Sequence, residues 1–235
     1  SIARDAQGLS LLDAAGARWR TAAFADDEHG HGELVEVLES LAIGRRLLDL
    51  PSGEGASALP SVVEVEFGTV EADGRRPLAL HGARLPAGSK AFLTIRNTGD
   101  EELYVWVFDV GVSGRSSLLT NAAPSGTLLG PKGGEDDTRD VWGPAGEALF
   151  WPGDVPVSPA AAGGDAARPE TFVVVVADRR SDLSSLAGRS GTARGSARSP
   201  LDAILDEART GVREVAPTSA GEPPLRYRLE EVEFL

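Results

Sequence analysis

KAFLTIRNTGDEELYVWVFDV, residues 90–110, decides the fold of this chain, because it predicts two β-strands joined by a short polar turn. In its first half apolar and polar residues alternate with the period of a half-buried strand. Residues 97–102 favour a turn. The second half, residues 103–110, is apolar on both faces, which is typical of a strand inside its sheet. Its two faces carry Leu103, Val105 and Val107, and Tyr104, Trp106 and Phe108.

Shorter apolar runs on both sides of this stretch predict further strands. We place them at residues 61–70, 78–80, 116–120, 127–129, 148–151, 171–177 and 225–235. Residues 33–50 instead repeat leucine and valine at helical spacing, and Ser199 and Pro200 cap a second, late helix. The fold class predicted is mainly β, a β-sandwich or jelly-roll-like domain with an N-terminal helix and a late helix.

The composition also changes along the chain, and this predicts its organisation. Residues 1–58 form an extended lead-in with a short strand at residues 18–24 and the helix at 33–50. Residues 59–188 form the sandwich core. Residues 189–199, rich in Arg, Gly and Ser, form a flexible loop. Residues 200–235 supply a helix and a closing strand that pack on the sandwich.

Charge and composition exclude several classes of partner. The chain has 235 residues, a formal net charge of −13 and 41% hydrophobic residues. We therefore expect no nucleic acid and no membrane as partners, since anionic surfaces select basic patches and a bilayer span needs about 20 apolar residues. Without a visible signal peptide, we expect a cytoplasmic location. The absence of methionine predicts a processed piece of a longer protein.

The chain contains no cysteine, so it has no disulfide, no thiolate metal ligand and no cysteine nucleophile. Two segments collect other metal-ligating residues. In residues 26–33 two histidines stand among acids, and residues 132–140 carry a cluster of carboxylates. The two histidines with flanking acids could hold a divalent metal, but this pattern is not specific, and the acidic loop lacks the ligand order and glycine of the twelve-residue calcium loop. We therefore interpret both as solvated loops and expect no metal and no cofactor.

Three segments, residues 50–70, 83–120 and 171–190, together resemble a known family. In the second segment an Asn turn, Arg96 and Asn97, precedes the strand that begins Leu103, Tyr104 and Val105. The third is a buried strand followed by an aspartate-containing stretch that ends in leucine. In this order, over residues 33–190, the chain resembles the accessory domain that follows the peptidase domain in bacterial and fungal caspase-like proteins of the metacaspase type.

This resemblance implies a non-catalytic accessory or regulatory domain. A caspase-like peptidase needs a cysteine activated by a histidine. Three histidines are followed by glycine, His29, His31 and His81, yet no cysteine is present for them to activate. The implied partner is a caspase-like peptidase domain, in cis or on a companion chain, with a regulator or substrate protein as a further partner.

The same resemblance gives the basic loop a specific hypothesis. Metacaspase-type enzymes are expected to cut after basic residues, so Arg189, Arg194 and Arg198 are candidate processing sites. The simpler interpretation is a plain surface linker, because such loops are common.

Two other functions stay open at this point. A stand-alone binding module for carbohydrate or calcium would need exposed aromatic residues, and Trp142 and Trp151 flank a Gly-Pro loop. An enzyme in its own right would need a nucleophile beside a base, but no GxSxG elbow is present. No catalytic residue is therefore predicted.

Overall fold

The computed structural model describes residues 1–14, 16–156, 168–183, 186 and 225–235. Their arrangement has three layers, because a helix covers one sheet and this sheet packs on a second sheet. The helix, α1, spans Glu28–Leu48, and a short 3₁₀ helix spans Gly55–Ser57. The prediction of a mainly β, sandwich-like fold is confirmed.

Thirteen strands lie in this part of the chain. In order they are β1 (Ile2–Asp5), β2 (Gly8–Leu11), β3 (Val63–Glu71), β4 (Gly74–Pro77), β5 (His81–Ala83), β6 (Lys90–Asn97), β7 (Leu103–Val110), β8 (Ser116–Leu118), β9 (Thr127–Leu129), β10 (Thr138–Asp140), β11 (Glu147–Ala148), β12 (Glu170–Ala177) and β13 (Tyr227–Phe234).

Two main sheets are built from these strands, and β1 and β2 pair as a separate hairpin. One sheet has the order β10-β6-β3-β4, with β11 also pairing with β6. The other has the order β5-β13-β12-β7-β8, with β9 also pairing with β7. All pairs are antiparallel except β5 with β13, which is parallel. The predicted closing strand is thus an interior strand of the second sheet.

The two strands of the deciding stretch, β6 and β7, lie in different sheets. The turn between them is therefore an arch that joins the layers. The buried side chain of Asn97 holds this arch, because its Nδ2 donates to the carbonyls of Glu101 at 2.7 Å and Gly130 at 2.8 Å, and its Oδ1 accepts from the amide of Gly99 at 2.9 Å. A buried amide with several partners fixes local geometry.

The alternation of side chains along the strands separates two cores. Between the sheets, inner residues of β3 and β6 meet Val105 and Val107 of β7 and Phe172, Val174 and Val176 of β12. On the other face of β7 and β12, Trp106, Phe108 and their neighbours pack against Leu47 and Leu50 at the end of α1. Both faces of β7 are therefore covered, as its sequence predicted.

Helix α1 begins five residues before the predicted start at residue 33, and it ends at Leu48 rather than at residue 50. Asp27 is the N-cap, and its Oδ1 accepts from the amide of Gly30 at 2.8 Å. This bond satisfies a backbone donor that a helix start leaves unpaired. The cap explains why the glycine-containing first turn is helical.

The predicted strand at residues 18–24 is wrong, since Arg18 and Phe24 form only isolated bridges.

Other predicted boundaries shift by a few residues. The return strand at 78–80 is replaced by β4 and β5 on either side of it, and the strand at 148–151 is only the two-residue β11. The predicted late helix and the loop at residues 189–199 lie outside the described residues. No helix in the described ranges has both the length and the apolar character to cross a bilayer.

Candidate ligand-binding cleft

A cleft opens between the two sheets at one end of the sandwich. Its volume is about 280 Å³. It is bordered by the end of β7, the turn into β8, the start of β12, and β11 with the loop that follows it. The apolar part of its wall is formed by Val112, Leu119, Trp142, Leu149, Phe150 and Phe172.

Two acidic residues line this cleft, Asp109 on β7 and Glu170 on β12. In the antiparallel register Asp109 stands opposite Phe172, and Glu170 is two residues from Phe172. Since side chains alternate along a strand, both acids share the face that is turned toward the other sheet. They are diagonal neighbours at the end of the inter-sheet core.

The carboxyl group of Asp109 is poorly satisfied. Its Oδ1 atom is shielded from solvent and has no hydrogen-bond partner in the described part of the chain. Burial raises the pKa of Asp109 to about 8, and the charge of the neighbouring Glu170 adds to this shift. Burial also raises the pKa of Glu170 to about 7. Near neutral pH the two carboxyl groups can therefore act as proton donors as well as acceptors.

The two arginines that contribute to this region bind other groups. Arg115 faces Asp154, with 3.8 Å between Nη2 and Oδ2. Arg168, in an adjoining depression that also includes Glu170, donates to the carbonyls of Arg18 at 3.1 Å and Trp19 at 3.2 Å, and its guanidinium lies over the Trp19 ring. The only other charged residue lining the cleft within the described ranges is the exposed Glu147.

A nucleophilic reaction finds no support among the described residues of the cleft. Two serines line it, Ser113 and Ser117, but a serine needs an adjacent base. The three histidines lie elsewhere, His29 and His31 in the first turn of α1 and His81 on β5. The cleft can bind a polar group in apolar surroundings, and it can exchange a proton with that group.

The histidine-containing segment makes side-chain contacts around the start of α1. His31 Nε2 lies 3.2 Å from Asp26 Oδ1, and His29 Nε2 lies 3.7 Å from Glu33 Oε1. Arg4 also pairs with Asp26. Among the residues that the structure describes, no three His, Cys, Asp or Glu side chains come together as a metal site.

Carboxylates of the acidic loop at residues 132–140 serve the loop itself. Asp137 accepts hydrogen bonds from the amide of Gly133 at 2.8 Å and from the hydroxyl of Thr138 at 2.6 Å. Asp140 belongs to β10, which the sequence did not predict, and it binds Arg75 of β4. These contacts stabilise the loop and the sheet, and they leave the calcium hypothesis without a supporting site in the described ranges.

The two tryptophans of the carbohydrate hypothesis, Trp142 and Trp151, are held by contacts within the protein. The Trp142 ring meets the Phe172 ring edge to face, with 5.3 Å between the ring centroids. Trp151 donates from Nε1 to the carbonyl of Val155 at 2.8 Å. Both residues are partly buried, so they do not form an exposed stacking platform. Trp142 nevertheless contributes to the wall of the cleft.

The candidate processing residues Arg189, Arg194 and Arg198 lie outside the described residues. The cleft itself was missed by the sequence analysis. One signal was available, because Asp109 interrupts an apolar strand and Glu170 directly precedes another. An acid in such a position either has a partner or has its pKa shifted.

Comparison of the chain with protein-family models, with curated proteins and with solved structures finds no match. The resemblance to the accessory domain of caspase-like proteins therefore stays a prediction that rests on the quoted segments alone.

Proposed function

We propose that this chain is a non-catalytic β-sandwich module that binds a small organic ligand, or a side chain of a partner, in the cleft between its sheets. The observation that carries the proposal is the Asp109 carboxyl, which has a solvent-shielded oxygen without a hydrogen-bond partner in the described ranges, at an open and mainly apolar cavity. An unsatisfied buried acceptor costs about 1–3 kcal/mol. A ligand that donates a hydrogen bond to this oxygen would remove that cost, and apolar walls would bury its body.

The test uses three probes that share one apolar body and differ in charge: 2-phenylethanol, phenethylamine and 3-phenylpropionate. Chemical shifts of the ¹⁵N-labelled chain are recorded during titration with each probe. We expect at least one probe to shift the amide signals of β7, the turn into β8 and β11. Titrations with calcium chloride and with a neutral disaccharide test the alternative of a calcium-binding or carbohydrate-binding module.

A blocking variant makes this test specific to the cleft. Ser117 pairs with Asp109 in the register of β7 and β8 and lines the cleft, so Ser117→Phe should fill it and abolish the shifts. Ser61→Phe places the same ring at an exposed position outside the cleft and is the matched control. Shifts that are absent, or that persist in Ser117→Phe, would contradict the proposed function.

The accessory role beside a caspase-like peptidase is a second proposal, in a cytoplasmic protein. The side chain of Phe150 supports it, because this residue is 80% exposed at the mouth of the cleft. Exposed aromatic residues beside apolar grooves are typical of contact sites. Peptide mapping of the native protein tests the proposal. A caspase-like domain with its histidine and cysteine in the same protein or in a stable complex would support it, and their absence from both would contradict it.

A further inference from the structure

We propose that the cleft selects a ligand that carries an ammonium group on an apolar stem, with Asp109 and Glu170 as its counter-ions. This inference rests on the proposed binding function and names the chemical class of the ligand. The decisive observation is that neither carboxyl has an ion pair or side-chain hydrogen bond with a described residue. A cationic ligand would supply the missing partner.

The charges around the cleft disfavour the other ligand classes. Three carboxyl groups line it, those of Asp109, Glu147 and Glu170. Of the two nearby cations, Arg115 faces Asp154 and Arg168 is held by backbone carbonyls. An anionic ligand would therefore meet more acids than free cations, and like charges in contact are destabilising. A neutral ligand would gain the apolar walls without an ion pair.

The cavity also has a suitable size and distribution of polarity. Its volume of about 280 Å³ exceeds the roughly 150 Å³ of an engineered cavity that holds benzene. Trp142, Leu149 and Phe172 offer apolar surface for the stem, and the two acids lie at the ends of β7 and β12 beside them. A charged head and an apolar stem would thus meet matching surfaces.

Ion pairing would change the protonation of the site. The carboxyls gain a charged partner only when ionised, so an ammonium group lowers the raised pKa values of Asp109 and Glu170 toward their ordinary range. Binding near pH 7 should therefore release protons. Affinity should rise as the pH increases from 6 to about 8.5, and it should fall again where the amine itself loses its proton.

Calorimetry with the same three probes tests the inference at pH 7, in two buffers of different ionisation enthalpy. We expect phenethylamine to bind at least tenfold more tightly than 2-phenylethanol, and to release protons. Asp109→Asn and Glu170→Gln should each weaken binding of the amine about tenfold and leave binding of the alcohol within a factor of two. Glu64→Gln removes an equal charge from an exposed position on β3 and is the control.

The outcomes separate this inference from the proposed function. If the alcohol or the carboxylate binds the cleft as tightly as the amine, the cleft is a binding site and the inference is wrong. If no probe shifts the cleft signals, both proposals fail. Amine binding that is equally weakened by Glu64→Gln would reflect only the overall negative charge, and it would also overturn the inference.

An ammonium group on an apolar stem occurs in free amines and in lysine side chains. Butylamine and Nα-acetyl-lysine methylamide carry the same four-carbon stem and distinguish the two sources. Tighter binding of the lysine derivative would identify a protein side chain as the natural ligand. Tighter binding of butylamine would identify a free amine. If both are bound no better than 1-butanol, the ammonium group is not recognised and the inference is overturned.

Discussion

Asp109 and Asp140 are two aspartates on strands of the two sheets, and their surroundings are opposite. Asp140 accepts hydrogen bonds from both Nη atoms of Arg75, each at 2.9 Å, and from the hydroxyl of Thr94 at 2.6 Å. The Arg75 guanidinium holds the pKa of Asp140 below its ordinary value. Asp109 has an unpaired oxygen, and its pKa is raised. The fold supplies hydrogen-bond partners for both oxygens of Asp140, whereas the Oδ1 atom of Asp109 has none among the described residues.

The contrast shows how a structural acid differs from a candidate binding acid. The group of Asp140 ties β4 to β10 across the outer face of its sheet, where Arg75 also covers the Phe92 ring at 4.7 Å from its centroid. Gly68 allows this arrangement, since a Cβ there would lie 2.7 Å from the Phe92 ring. The Asp109 Oδ1 atom has no hydrogen-bond partner among the residues that the structure describes. Residues that lower stability without a compensating contact are candidates for function.

The largest effect that tests this contrast is the dependence of stability on pH. The folded protein holds the Asp109 proton up to about pH 8, whereas the unfolded chain releases it near the ordinary value of 3.8. Stability from this group is thus complete at low pH and is lost as the pH rises through this window. We expect the free energy of unfolding to fall by about 2–5 kcal/mol between pH 4 and 8.5 relative to Asp109→Asn.

Urea denaturation of both proteins at several pH values measures this difference. Comparison with the variant is essential, because other carboxyls contribute in the opposite direction below about pH 4. Asp109→Asn should be the more stable protein at pH 8.5. Parallel curves for the two proteins would mean that Asp109 is solvated and ionised like an ordinary acid.

The opposite substitution, Asp140→Asn, should destabilise the protein. It removes a charge-assisted, two-point ion pair, and we expect a loss of about 1–2 kcal/mol, since both side chains are about one third exposed. The pKa of Asp140 is lowered, so its contribution is present above pH 4 and disappears on acidification. Denaturation at pH 7 and pH 3 should show a smaller loss at pH 3 than at pH 7.

The exposed Asp100 in the arch provides the control for this measurement. Asp100→Asn removes the same charge and should change stability by less than about 0.5 kcal/mol. An equal loss in both variants would show that net charge, rather than the Arg75 pair, accounts for the effect.

The smallest expected effect concerns Asp137, a hydrogen-bonded carboxylate that has no cation as close as Arg75 is to Asp140. Asp137 relies on the hydroxyl of Thr138 and the amide of Gly133, which lower its pKa, and Arg96 is 3.9 Å away. The two bonds end on different oxygens and an asparagine has a single acceptor oxygen, so Asp137→Asn keeps at most one of them and should lower the melting temperature by less than Asp140→Asn does. Thermal unfolding of both variants at pH 7 would check this order. A loss larger than that of Asp140→Asn would reverse the proposed order.

The sequence predicted most of the strands because alternation is a local property. It did not predict which strands pair. The turn residues between β6 and β7 would suit a hairpin as well as an arch, and one contact that holds the arch joins Asn97 to Gly130, which lies 33 residues further along the chain. The three-residue strand β10 was missed because its residues, Thr138–Asp140, are polar and acquire their role only beside β6.

The candidate site was predictable only in part. An acid within the apolar run of β7 is visible in the sequence, and Asp109 could have been selected on that basis. Its closeness to Glu170 follows from the register of β7 and β12, and the opposite wall comes from β11, which belongs to the other sheet. Neither relation is contained in the local pattern.

The position of β13 has a consequence for the rate of folding. This strand lies between β12 and β5, and its partner β5 lies more than half the chain away in sequence. Closing such a long loop costs conformational entropy, and the strand-pairing contacts that offset this cost form only afterwards. We expect refolding on the order of milliseconds to seconds, typical of sheets with distant partners. Until β13 is in place, the neighbouring strands have exposed edges that invite aggregation.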